Sequence, residues 1–175
     1  MEGAAMATMV DRYVVRAGDG TQTHLGGVGV TFKVPAAMTG GALAIVEHPV
    51  QPRALVPPHT HHREDELSFV VEGTFGVRIG DDEFEVGPGD YVYKPRGIPH
   101  AFWNPTDGMS RLVELLFPPD FERFFAQLGQ AYVDGGGAPD PERLMALARD
   151  YELDFLMNWV PDLAARHGLT LIGQR

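Results

Sequence analysis

Up to Pro118 the chain is a run of short β-rich segments, and after it the apolar spacing becomes helical. The β-rich segments are 42–47, 67–71, 75–79, 83–86, 91–94, 101–103 and 111–116. Between them sit Glu72-Gly73, Gly80-Asp81-Asp82, Gly87-Pro88-Gly89-Asp90, Pro95-Arg96-Gly97 and the stretch 104–108. Short strands cut at this spacing by Gly, Pro, Asn and Asp fold as an all-β barrel or sandwich. Beyond Pro118, Phe121, Phe124, Phe125 and Leu128 fall on one helical face, with Asp120 as the expected N-cap. Asp140-Pro141 reads as an N-cap followed by proline at the first helical position, and 161–167 as a third helix stopped by Gly168. The expected organisation is a variable tail at 1–10, a β domain at 11–117 and a helical extension at 118–175 packed on it. The extension's Phe-rich face must be buried, by capping one end of the β domain, walling a pocket, swapping onto a second subunit or covering an edge.

Composition removes several classes of function. The 175 residues carry 14 basic and 24 acidic side chains, a net charge of −10. That balance argues against a nucleic-acid partner, which calls for a basic face, and against a polybasic membrane anchor. No apolar run is long enough to span a bilayer, and residues 1–9 lack the features of a secretory signal, so the expected compartment is the cytoplasm. With no cysteine there is no disulfide, thiolate metal site or cysteine nucleophile, and any metal must be held by nitrogen and oxygen. Neither lysine, Lys33 or Lys94, lies in a phosphate loop, and neither serine, Ser68 or Ser110, lies in G-x-S-x-G.

The chemistry concentrates in Pro57-Pro58-His59-Thr60-His61-His62-Arg63-Glu64-Asp65-Glu66. His59 and His61 are two apart, so on a strand they share a face at roughly 6–7 Å along the chain and can converge on one ion. Glu66 opens the next apolar run, and its carboxylate reaches the same ion if that run pairs with the first strand. His100, after Pro95-Arg96-Gly97, is available as a fourth ligand. His62 faces the other side and is read as exposed. Glu64 and Asp65 are read as solvated turn charges, and His24, His48 and His167 receive no role. Three imidazoles and a carboxylate suit one divalent transition metal (Fe, Mn, Ni, Cu or Zn). Four protein ligands leave one or two open positions, which favours catalysis over a closed structural site. Alternation from Glu66 points Ser68 and Val70 inward, and alternation from His100 points Phe102 inward, giving a mostly apolar pocket for a small-molecule substrate.

Residues 59–73 read H-x-H-x4-E-x6-G, and residues 89–104 read G-x5-P-x-G-x2-H-x3-N. In this order the two segments resemble the signature motifs of the cupin superfamily, over roughly residues 30–117. The glycine usual upstream of the first histidine is missing, and Arg53 stands there. The resemblance implies a double-stranded β-helix (jelly-roll) barrel and makes His59, His61, Glu66 and His100 the metal ligands. It makes Pro95 and Gly97 the turn that brings His100 inward, Asn104 a structural residue, and the protein a homodimer. Cupins with this set resemble quercetin dioxygenases, in which the matching glutamate also accepts a proton, so Glu66 is the expected catalytic residue. The leading expectation is therefore a dioxygenase acting on a small aromatic or polyketide-like substrate. The alternatives are a non-oxidative metal-dependent enzyme (isomerase or polyketide cyclase) and a non-catalytic small-molecule-binding cupin.

Overall fold

A computed structural model describes residues 13–174; the tail expected at 1–10 lies outside them. The strands run in chain order as β1 (Thr21–His24), β2 (Gly29–Val34), β3 (Ala44–Val50), β4 (Ala54–Leu55), β5 (His59–His61), β6 (Asp65–Glu72), β7 (Phe75–Ile79) and β8 (Asp82–Val86). They continue as β9 (Tyr91–Lys94), β10 (His100–Trp103) and β11 (Ser110–Phe117). Then come α1 (Glu122–Asp134), α2 (Pro141–Asp150), β12 (Leu153–Phe155), α3 (Val160–His167) and β13 (Thr170–Leu171).

The strands form two sheets. The first has the order β1-β2-β3-β11-β6-β9. In the second, β12-β5-β10-β4-β13 are joined through β10 to β7 and then β8. The sheets face each other as a sandwich and, among the described residues, do not pair into a closed ring. Val50, Val70 and Leu112 of the first meet Phe75, Val77 and Phe102 of the second. The period-2 pattern is sharp in the first sheet: Ala44, Val46, His48 and Val50 of β3, and Ser110, Leu112, Glu114 and Leu116 of β11, are all buried. All four residues of β10 are buried, because both of its faces are covered. Phe102 faces the other sheet, while Ala101 and Trp103 pack under Leu163 of α3 and Leu171 of β13.

The C-terminal part closes one end of the sandwich. Phe124, Phe125 and Leu128 of α1 pack with Val30, Val46 and Leu116 of the first sheet. Each such burial contributes on the order of 2 kcal/mol. Asp140 caps α2 as expected, accepting from Arg143 N at 3.0 Å, and Gly168 ends α3 in the left-handed region at φ 63°. Asp120 is not an N-cap: Pro119 starts a 3-10 turn over Pro119–Phe121, so Asp120 lies inside that turn and α1 begins after it. Nor is the extension only helical. β12 pairs with β5 and β13 runs parallel to β4, so two of its segments belong to the second sheet. Among the described residues no helix is long and apolar enough to cross a membrane.

Arg53, where the motif expects glycine, has φ 58°. The chain keeps the left-handed turn without the residue that adopts it at no steric cost. Gly76 is constrained differently. A Cβ there would lie 2.1 Å from the Trp103 ring, across the β7–β10 ladder. Gly76→Ala is expected to cost about 3 kcal/mol by overpacking this contact. A urea unfolding midpoint unchanged from the parent would disprove that packing account.

Candidate metal centre

The pattern that makes β5 a strand also aims its histidines. With His59 and His61 on one face, His62 falls on the other and pairs with Asp154 at 2.8 Å, half exposed. β10 lies antiparallel beside β5 with His100 opposite His59. The intervening turn is fastened to the histidine strand: Gly97 N donates to the His61 carbonyl at 2.7 Å, and Gly97 takes φ 78°. Asp65 holds the same turn, accepting from Arg96 N at 2.8 Å and from its guanidinium at 2.8 and 3.1 Å. Asn104 anchors the far end of β10 through Val50 and Gly108 carbonyls at 3.0 and 2.7 Å.

Glu66 arrives by a different route from the one expected. β6 does not pair with β5; it lies in the opposite sheet between β11 and β9. The four residues between His61 and Glu66 cross the sandwich, so three imidazoles descend from one sheet and the carboxylate rises from the other. One ligand atom from each of His59, His61, Glu66 and His100 lies within 4.8 Å of all the others, and the four residues are buried. Glu66 Oε1 is 3.3 Å from His61 Nε2, and Oε2 is 3.4 Å from His100 Nε2.

The outer ring nitrogens are directed by acceptors. His59 Nδ1 donates to the Pro57 carbonyl at 2.7 Å, and His100 Nδ1 to the Ile98 carbonyl at 3.2 Å. His61 Nδ1 faces Glu64 Oε2 at 3.4 Å. The two hydrogen bonds turn the Nε2 atoms of His59 and His100 toward the centre, as an ion would need. His61 Nε2 and His100 Nε2 are buried without a hydrogen-bond partner, the state expected of donors built for an ion. The four side chains therefore fit one divalent transition metal; the fit does not select which.

Charge is balanced from below. Lys94, buried at the inner end of β9, sits 2.8 Å from Glu66 Oε2 and also contacts Glu114 Oε1. Burial opposes its charge, but Glu114 and Glu66 together hold its pKa above the ordinary lysine value. Burial also opposes Glu66, yet Lys94 and the facing histidines keep its carboxyl well below the usual range. Glu114, disfavoured by burial and by Glu66, is held at about 2 chiefly by Lys94. Burial, with the other histidines nearby, lowers His59, and burial lowers His100, so both present neutral imidazole. At His61 burial is outweighed by Glu66 and Glu64, which push it up to about 9.

A cavity of about 460 Å³ opens beside this cluster, between the sheets and the C-terminal helices. His59, Glu66 and Phe102 line it, with Phe121, Phe125 and Leu144 among its apolar walls. Ser68 and Val70 face inward as expected, but they line a separate, much smaller void. Ser68 is engaged beneath Glu114, donating to its Oε1 at 2.8 Å. Glu64 and Asp65 are not solvated turn charges. Glu64 is 2% exposed behind His61, and Asp65 clamps the Arg96 turn. Their location in a turn hid this, because burial there comes from the opposing chain. Lys94, Glu114 and His48 were given no role at the site by the sequence, although alternation along Tyr91–Lys94, Ser110–Phe117 and Ala44–Val50 points all three inward.

His61→Ala and Glu66→Ala are each expected to abolish bound metal, and His62→Ala to leave it unchanged. Elemental analysis of the purified variants decides, and full stoichiometry in either of the first two would refute the ligand set. An ion must also displace the proton from His61. Apparent affinity should therefore weaken about tenfold per pH unit as the buffer falls below about 9. Chelator competition giving a flat profile across that range would contradict it.

A family model described as "Cupin domain" matches residues 47–116. Quercetin 2,3-dioxygenase of Bacillus subtilis is 24% identical over 120 residues, 69% of this chain and 35% of that protein. The HTH-type transcriptional regulator PuuR of Escherichia coli is 26% identical over 99 residues, 56% of this chain and 54% of the regulator. The chain thus spans about a third of the dioxygenase and about half of the regulator. The polyketide cyclase RemF from Streptomyces resistomycificus superposes with a TM-score of 0.52 at 26% identity, covering 59% of this chain and 77% of that one. KdgF from Halomonas sp. superposes at 0.53 with 20% identity, covering 58% and 91%, a likeness of fold.

Proposed function

We propose that the protein, whose residues 47–116 match the cupin-domain model, is a metal-dependent dioxygenase acting on a small aromatic or polyketide-like substrate. The observation that carries the reading is the convergence of three imidazoles and a carboxylate beside a large, mostly apolar cavity. The similarity to quercetin 2,3-dioxygenase supports the reaction class.

His59, His61, Glu66 and His100 would hold the ion. A divalent ion there supplies Lewis acidity toward an enolate or carbonyl oxygen and, when redox-active, a path for electrons between substrate and dioxygen. The chain's own residues do the rest. Phe102, Phe121 and Phe125 exclude water from the substrate's carbon skeleton. Glu66 both faces the cluster and lines the cavity, which makes it the acceptor for the substrate's proton. Lys94 keeps Glu66 ionised, the form that can hold an ion or accept a proton. Both atoms of dioxygen end in the product, and the substrate supplies the electrons.

The likeness to RemF favours a second reading, metal-assisted cyclisation or isomerisation without oxygen. Elemental analysis of protein from its own host, followed by oxygen-electrode assays with flavonols and 1,3-diketones, separates the two. Near-stoichiometric Fe, Mn, Ni or Cu with one dioxygen consumed per substrate is the expected result. Zinc with turnover in the absence of oxygen would move the assignment to the second reading. Failure to take up any metal on reconstitution would sink both and leave a binding protein.

A further inference from the structure

The cavity has a second polar group on its wall, joined to Glu66 through Lys94. His48 of β3 and Glu114 of β11 both line it, and each side chain is 3% exposed. The strand order β3-β11-β6 places His48 two strand spacings, about 10 Å, from the strand that carries Glu66. Glu114 Oε1 is occupied: it accepts from Ser68 Oγ and contacts Lys94 Nζ. Its Oε2 faces His48 Nε2 at 3.4 Å, long for a hydrogen bond. His48 Nδ1 donates to the Gly29 carbonyl at 3.0 Å, and the ring packs edge-on to Phe125 at 5.2 Å, which fixes where Nε2 points. Neutralising Lys94 uses only Oε1 and calls for no histidine. The Oε2–Nε2 pair therefore keeps hydrogen-bonding capacity on the wall of an apolar cavity. A ligand hydroxyl seated there donates to Glu114 Oε2 and lies against His48 Nε2.

We infer that His48 and Glu114 form a second anchor, which binds a hydroxyl on the remote part of a substrate whose other end reaches the metal centre. The inference rests on the proposed function and narrows its substrate class. Among the described residues, the cavity is lined by no arginine or lysine, so apart from a bound metal it offers no cation to a carboxylate or phosphate. The apolar walls around these polar groups fit a flat, multi-ring enol or phenol that carries a second hydroxyl.

The test uses metal-loaded protein and two matched probes, 3-hydroxyflavone and 3,4'-dihydroxyflavone, which differ by one remote hydroxyl. Binding is followed by calorimetry, and metal content and oxygen uptake are measured on the same samples. The parent protein should bind the dihydroxy probe about tenfold more tightly or better, the effect of one hydrogen bond to a charged acceptor. In His48→Phe that preference should fall below about threefold with metal content unchanged, and His48→Gln, which keeps a polar group beside the hydroxyl, should retain part of it. The parent's preference and the His48→Gln comparison keep the test decisive if His48→Phe folds poorly. Equal binding of the two probes by the parent, or an unchanged preference in His48→Phe, would overturn the anchor and leave the proposed function standing. Discrimination without oxygen uptake would sustain the anchor and remove the dioxygenase reading. Failure of both probes to bind would overturn both.

Discussion

The centre of this protein depends on one electrostatic arrangement: a carboxylate from one sheet set against three imidazoles from the other, with a buried ammonium beneath. Carrying Glu66, Lys94 and Glu114 into a sandwich core costs several kcal/mol per ion unless each finds a partner. Lys94 lies between the two carboxylates and satisfies both. The orientation of the histidines follows from the same economy of groups. The Nδ1 atoms of His59 and His100 are spent on carbonyls two residues earlier, that of His61 faces Glu64, and the Nε2 atoms face the centre.

The C-terminal part completes this centre as well as covering it. β12 pairs residue for residue with β5, the strand that carries His59 and His61. Phe121 packs edge-on against the His61 ring at 4.3 Å. The helices then bury their phenylalanines against the first sheet and leave the cavity between. Such a wall keeps water from the cavity, and here it also holds the strand of His59 and His61 in place.

Much of this was legible in the residues. The break at Pro118, the turns between strands, the Asp140-Pro141 helix start and the Gly168 stop each carry a local signal that tertiary context had no reason to override. Spacing placed His59 and His61 on one face and His62 on the other. Other features were hidden for identifiable reasons. β12 and β13 are three and two residues long, too short for any periodicity, and exist because β5 and β4 offer them edges. Asp120 has an N-cap's identity, but Pro119 starts the turn one residue early. Glu64 and Asp65 have the composition of a solvated turn, and only the opposing Arg96 and His61 show otherwise.

By itself the sequence determined an all-β core with helices after it, excluded thiolate chemistry, and named four side chains able to share an ion. Those conclusions rest on local periodicity and residue chemistry, which act within a few positions of the chain. Only the tertiary structure decided that Glu66 reaches the histidines across the sandwich instead of along one sheet. It also decided that Lys94 lies beneath Glu66, and that His48 and Glu114 share a cavity wall. Each is a contact between segments tens of residues apart, created when two sheets close on each other, and no local pattern specifies which inward-facing residues then meet.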